Sequence, residues 1–107
     1  MMDLYCKIFV DTKIEYPEIF EKILKQVSGK KLGFSDIESD WCSIRVKRNE
    51  EYLPNSADFL YWKYYLDIDP STEEEIYIQN LKEFVKFLKE NFADAVPACD
   101  FESELGE

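Results

Sequence analysis

Phe59-Leu60-Tyr61-Trp62-Lys63-Tyr64-Tyr65-Leu66-Asp67-Ile68 is the stretch on which the fold turns. It packs five aromatic rings into ten residues and stops at Asp69-Pro70, a composition suited to a pleated, half-buried strand. Side chains alternate across a strand, so Leu60, Trp62, Tyr64, Leu66 and Ile68 are expected to face a core. Phe59, Tyr61, Lys63 and Tyr65 then point the other way.

Toward the C-terminus, Ser71 and Thr72 precede three glutamates and form two overlapping capping boxes, Ser71 with Glu74 and Thr72 with Glu75. A helix is expected from there to about Asn91, with Ile78, Leu81, Phe84, Val85 and Leu88 as its apolar stripe. Ala95 to Phe101 reads as a short last strand, and Pro97, which has no ladder donor, assigns it to a sheet edge. Glu102 to Glu107 reads as a frayed acidic tail.

Toward the N-terminus, Trp41 to Lys47 alternates, with Cys42, Ile44 and Val46 on one face and Trp41, Ser43, Arg45 and Lys47 on the other. Asn49, Pro54, Asn55 and Ser56 mark a solvated connection between this strand and the aromatic one. Lys30 to Asp40 has mixed character and suits a short strand or a wide loop. Tyr16, Ile19, Phe20, Ile23, Leu24 and Val27 recur at helical spacing, from Pro17 in the first turn to Gly29 as the stop. In the first strand, Leu4, Cys6, Ile8 and Val10 share one side, and Tyr5, Lys7 and Phe9 the other.

Strand, helix, strand, strand, helix, strand is the order of a ferredoxin-like βαββαβ sandwich, an α+β fold. It predicts a four-stranded antiparallel sheet with two helices on one face and the whole of residues 1–107 in a single domain. The first and third strands would be central and the second and fourth would be edges, which puts Arg45, Lys47 and Pro97 on edges.

With 107 residues, 46% of them hydrophobic, the chain can bury a core despite a net charge of −10. Residues 71 to 107 hold ten acids against three bases, so most of that charge sits in the last third. Such a field repels duplex nucleic acid and steers a basic protein inward; it also serves solubility alone. Met2 to Val10 has no basic leader and no small-residue cleavage site, and no apolar run approaches the roughly 20 residues that span a bilayer. A cytoplasmic protein without membrane contact is expected. Cys6, Cys42 and Cys99 are scattered through apolar patterns and suit reduced core thiols better than a disulfide framework.

The chain has no histidine, which removes the usual general base and the commonest zinc ligand. Gly29, Gly33 and Gly106 are isolated, so no phosphate loop exists, and the cysteines lack CxxC spacing. No catalytic residue, metal or cofactor is assigned, and a non-enzymatic role is expected. Paired carboxylates remain: Asp67 with Asp69 ends a strand, Glu73 to Glu75 caps a helix, and Asp100, Glu102 and Glu104 alternate with Phe101 and Leu105 as a recognition surface.

In a sandwich of this kind the sheet face opposite the helices is open. Tyr5, Lys7, Phe9, Trp41, Ser43, Arg45, Lys47, Phe59, Tyr61, Lys63 and Tyr65 are assigned to it, rings interleaved with four cations. Three uses compete: the Lys47 to Asp58 loop and the tail fold over it, a protein partner or second copy docks there, or single-stranded RNA stacks on the rings. A small-ligand pocket is a fourth. The partner reading selects Trp41, Arg45, Phe59, Tyr61 and Tyr65 as contact residues.

Val46-Lys47-Arg48-Asn49-Glu50-Glu51, the Asp58 to Ile68 stretch and Ala98-Cys99-Asp100-Phe101-Glu102-Ser103-Glu104-Leu105 together resemble a group of small acidic bacterial proteins. Some similar proteins are considered immunity proteins of contact-dependent or polymorphic toxin systems. The resemblance implies a role in binding and blocking one cognate toxin. An inhibitor of a basic toxin gains association rate from an acidic face, which would use Asp100, Glu102 and Glu104 with the Glu73 to Glu75 cap, and Trp41, Tyr61 and Tyr65 as anchors.

Overall fold

Residues 3–105 are described by the structure, a computed structural model. The elements are β1 (Cys6–Asp11), α1 (Tyr16–Gln26), β2 (Lys30–Lys31), β3 (Asp36–Glu38), β4 (Cys42–Arg48), β5 (Tyr64–Pro70), α2 (Glu74–Asn91) and β6 (Asp94–Ala98). All strand pairs are antiparallel, in the order β2-β3-β4-β5-β1-β6. The fold is therefore α+β, with six strands in its sheet where four were expected.

Within the observed strands, alternation assigned the core side chains correctly, while Phe9, expected on the open face, is buried as well. Cys6, Ile8 and Val10 of β1, Ile44 and Val46 of β4, and Tyr64, Leu66 and Ile68 of β5 form one cluster with Ile19, Phe20 and Ile23 of α1 and Tyr77, Leu81, Phe84, Val85 and Leu88 of α2. Both helices thus cover the same sheet face. Tyr77 also donates its hydroxyl to the Ile68 carbonyl at 3.3 Å, tying α2 to β5 inside that core.

The two extra strands come from the mixed Lys30 to Asp40 segment. Ile37 enters the core at 1% exposure and Gly33, at φ +113°, supplies the left-handed residue of the turn between β2 and β3. Since β3 pairs with β4, Asp36 stands opposite Arg45 and Ile37 opposite Ile44. β4 is consequently interior in the strand order, and Arg45 does not lie on an edge; Lys47 runs past the end of β3, whose pairing stops at Arg45. Pro97 does lie on an edge, since β6 ends the sheet.

The aromatic stretch divides. Tyr64 to Pro70 is strand, whereas Phe59 to Tyr61 forms a 3-10 turn whose start is capped by the Asp58 carboxylate, accepting from the Leu60 N–H at 3.0 Å. The register explains the break: Tyr64 is the last β5 residue paired with both neighbours, opposite Val10 and Arg48. A longer strand would leave its backbone polar groups without ladder partners. Asn49 satisfies two of them, donating from Nδ2 to the Leu60 carbonyl at 2.9 Å and the Trp62 carbonyl at 2.8 Å. Leu60, expected in the core, is therefore 49% exposed.

Helix ends also differ from expectation. α2 starts at Glu74 with Glu73 as its N-cap and no side-chain cap bond, so neither capping box forms. At the end of α1, Ser28 rather than Gly29 takes the left-handed conformation, φ +52°. Its N–H bonds to the Lys25 carbonyl and that of Gly29 to Leu24, the paired bonds of a Schellman motif. After β6, Glu102–Leu105 forms a 3-10 turn in place of a frayed segment, anchored by Phe101 at 1% and Leu105 at 2% exposure. The tail residues 106 and 107 and the side chain of Glu102 lie outside the described residues.

Candidate functional site

The sheet face opposite the helices is built from rows that the strand register dictates. One row runs Asp36, Arg45, Asp67, Lys7, each opposite the next across β3, β4, β5 and β1. The next runs Lys47, Tyr65, Phe9, Val96 across β4, β5, β1 and β6. Charges in the first row alternate in sign, so Arg45 and Lys7 each stand beside a carboxylate within it.

Specific contacts follow from these rows. Arg45 Nε bonds to Asp36 Oδ1 at 2.9 Å, which holds the guanidinium proton more firmly. Tyr5 donates its hydroxyl to Asp67. Burial first, and that carboxylate second, push the Tyr5 phenol well above its ordinary value. Burial likewise raises Tyr65, helped by Asp67 and Glu50. Both phenols keep their protons at neutral pH, and Arg45 keeps its charge. Tyr5, Asp36, Arg45 and Asp67, with Leu32 and Asp69, line a cleft of about 430 Å³.

The aromatic half is covered. The Asn49 to Lys63 connection returns over the sheet and lays Phe59 edge-on to Phe9, which is only 6% exposed. Phe59, Tyr61 and Tyr65 are half-buried. Lys7 Nζ stands 4.2 Å from the Tyr65 ring centroid, a cation–π contact, at the wall of a cleft of about 310 Å³ that Asn49, Glu50, Leu60 and Tyr61 help to line.

Arg45 and Tyr65 thus stand on the sheet face opposite the helices, as expected, with Arg45 paired and Tyr65 half-buried, whereas Phe59 and Tyr61 belong to the connection that covers that face. Trp41 does not join them. It precedes β4, and its ring packs against Tyr77 at 6.0 Å and Phe84 at 6.2 Å, on the helix side. Lys63 also leaves the face: its Nζ reaches Glu15 at 2.8 Å and lies 5.6 Å from the Tyr64 ring. Asp100 and Glu104 are exposed and flank Phe101, whose ring meets Tyr77 at 6.2 Å.

Among the described residues no group of three His, Cys, Asp or Glu side chains is placed to hold a metal ion, and no helix is long and apolar enough to cross a membrane. The most exposed large apolar side chain lies elsewhere, at the β2–β3 turn. Phe34 is 92% exposed and Leu32 50%, and the Phe34 carbonyl accepts from the Tyr16 hydroxyl at 2.7 Å, which holds the turn against α1. Tyr52, Leu53 and Leu60 are exposed on the β4–β5 connection. Sequence reading passed over Phe34; the available signal was two large apolar residues flanking a lone glycine within a polar segment.

No model of a known protein family matches this chain, and neither a curated protein nor a solved structure does.

Proposed function

We propose that the chain works by binding another protein without catalysis, in the manner of an immunity or inhibitor protein that neutralises a basic toxin in the cytoplasm. The observation that carries this reading is Phe34, a ring 92% exposed on a turn fixed by the Tyr16 hydrogen bond. A large aromatic held out in water gains most when a partner covers it, and rings of this kind dominate binding hot spots. The net charge of −10 supports a basic partner by steering its approach. In this reading β4, β5, β1 and β6 are a ferredoxin-like unit, and the β2–β3 hairpin is an added arm that presents the anchor.

The test is affinity capture with the wild-type chain and with Phe34→Ser, each at low and high salt. A basic protein retained by the wild type at low salt, lost at high salt and lost with Phe34→Ser supports the proposal. Retention unchanged by Phe34→Ser removes the anchor, and concentration-dependent self-association in sedimentation would identify a homodimer as the use of the same turn.

A second reading draws on the Lys7 to Tyr65 contact, which places a cation beside a half-buried ring in a cleft of about 310 Å³. A small anionic aromatic ligand would fit that chemistry. Quenching of tyrosine fluorescence by such a ligand, abolished by Lys7→Ala, would favour it over the protein-binding role.

A further inference from the structure

The register of β1 and β6 places Lys7 opposite Ala98, so the next position along brings Cys6 to Cys99. Their sulfur atoms lie 2.8 Å apart. Directly opposed residues of antiparallel strands have Cα atoms about 4.5 to 5.5 Å apart, within the roughly 4.4 to 6.8 Å that a disulfide spans. Closure then asks mainly that the two sulfurs approach one another. Cys6 is wholly buried on the core face of β1, while Cys99, just past β6, is half-buried and the less buried of the two. Cys42 is separate: it is buried, and its sulfur lies 3.4 Å from the Ser39 hydroxyl.

We propose that Cys6 and Cys99 form a redox-active pair that hydrogen peroxide closes to a disulfide and a dithiol reductant reopens. Cys99, the less buried of the two, loses its proton and attacks one peroxide oxygen. The O–O bond breaks, a sulfenic acid forms on Cys99, and the departing hydroxide takes up a proton as water. The Cys6 sulfur then attacks the Cys99 sulfur, the S–O bond breaks, and the hydroxide leaves as a second water with the Cys6 proton. Two thiols are oxidised by two electrons in all, and one peroxide is reduced to two waters.

The bond would have a structural consequence at the C-terminus. Phe101 and Leu105, two and six positions beyond Cys99, bury their side chains in the core beside α2. Tying Cys99 to β1 fixes the start of that segment and removes chain entropy from the unfolded state, since the ring so closed spans most of the protein.

The experiment treats the full chain with hydrogen peroxide, blocks remaining thiols with an alkylating reagent, and maps the non-reduced digest by mass spectrometry. A peptide pair linked through Cys6 and Cys99, returned to two alkylatable thiols by dithiothreitol, with Cys42 unlinked, is the expected result. The oxidised chain should also melt several degrees higher than the reduced one. Cys99→Ser, a change at a half-buried site, should abolish both the linked pair and the shift, and Cys6→Ala provides an independent variant. Oxygen adducts on Cys99 with Cys6 still alkylatable, a Cys99 bond between two chains, or no linked pair at all would each overturn the proposal.

Discussion

The ring of Phe59 stands edge-on to that of Phe9, with centroids 5.3 Å apart and planes at 61°. This contact closes what would otherwise be an open aromatic sheet face, because Phe59 lies in the 3-10 turn of the β4–β5 connection and Phe9 on β1. Phe59→Ala should destabilise the fold by about 2 kcal/mol, combining lost burial of a half-buried ring with the loss of an aromatic pair. The urea midpoint should fall accordingly while Phe9 becomes exposed. A midpoint unchanged from wild type would mean the turn does not cover the sheet in solution.

Asn49 is the pin of that connection. It is 7% exposed, donates to the carbonyls of Leu60 and Trp62, and accepts from the Glu51 N–H at 3.0 Å. Asn49→Asp keeps the acceptor and loses both donors, leaving two carbonyls facing a carboxylate, at a cost of about 2 kcal/mol. Limited proteolysis should then cut faster between residues 50 and 58. Equal cleavage rates in the two proteins would show that the side chain does not hold the loop.

The end of α1 offers a paired test. Ser28 sits at φ +52°, where a side chain is strained, so Ser28→Gly should stabilise by about 1 kcal/mol. Gly29→Ala should do the opposite, by roughly 1 to 3 kcal/mol, through crowding. Its added Cβ would meet Ile37 Cγ2 at 2.5 Å and the Glu38 carbonyl at 3.2 Å. Thermal melts of the two variants should therefore shift in opposite directions; the same direction for both would contradict the motif.

Stability should also decline in alkali. Burial pushes the Cys42 thiol up from 9.0 to about 11, against a smaller pull from the Ser39 hydrogen bond. In the unfolded chain the thiol ionises near 9, and in the folded chain it keeps its proton until about 11. Between those values the unfolded state binds fewer protons, so stability falls as pH rises, by about 2 kcal/mol across the window from this group. Tyr5 and Tyr77, both raised chiefly by burial, extend the loss to higher pH. Cys42→Ala should reduce the slope most between 9.0 and 10.0, below the point where the tyrosines begin to contribute; an unchanged slope there would assign the effect to other groups.

Much of the fold was legible in the primary structure for a local reason. Cys6, Ile8 and Val10, Ile44 and Val46, and Tyr64, Leu66 and Ile68 repeat at period two, and Ile19, Phe20 and Ile23 at helical spacing, and all are buried. The candidate site was less legible. Arg45 and Tyr65 do share one face, yet Asp36, from the segment of mixed character, pairs with Arg45, Phe59 and Tyr61 moved into the covering connection, and Trp41 turned to the helix side.

The amino-acid order alone determined which side of each regular segment faces the helix-covered core, since a period of two or of 3.6 is a property of neighbours in the chain. Tertiary structure decided the rest. Whether Phe59 to Lys63 continue as strand depends on where β1 and β4 stop, and whether Lys30 to Glu38 pair at all depends on Ile37 finding the core. Cys6 reaches Cys99 only because β6 lies beside β1. Hydrogen-bond partners and contacts distant in sequence carry no local period, so they exist only once the sheet has assembled.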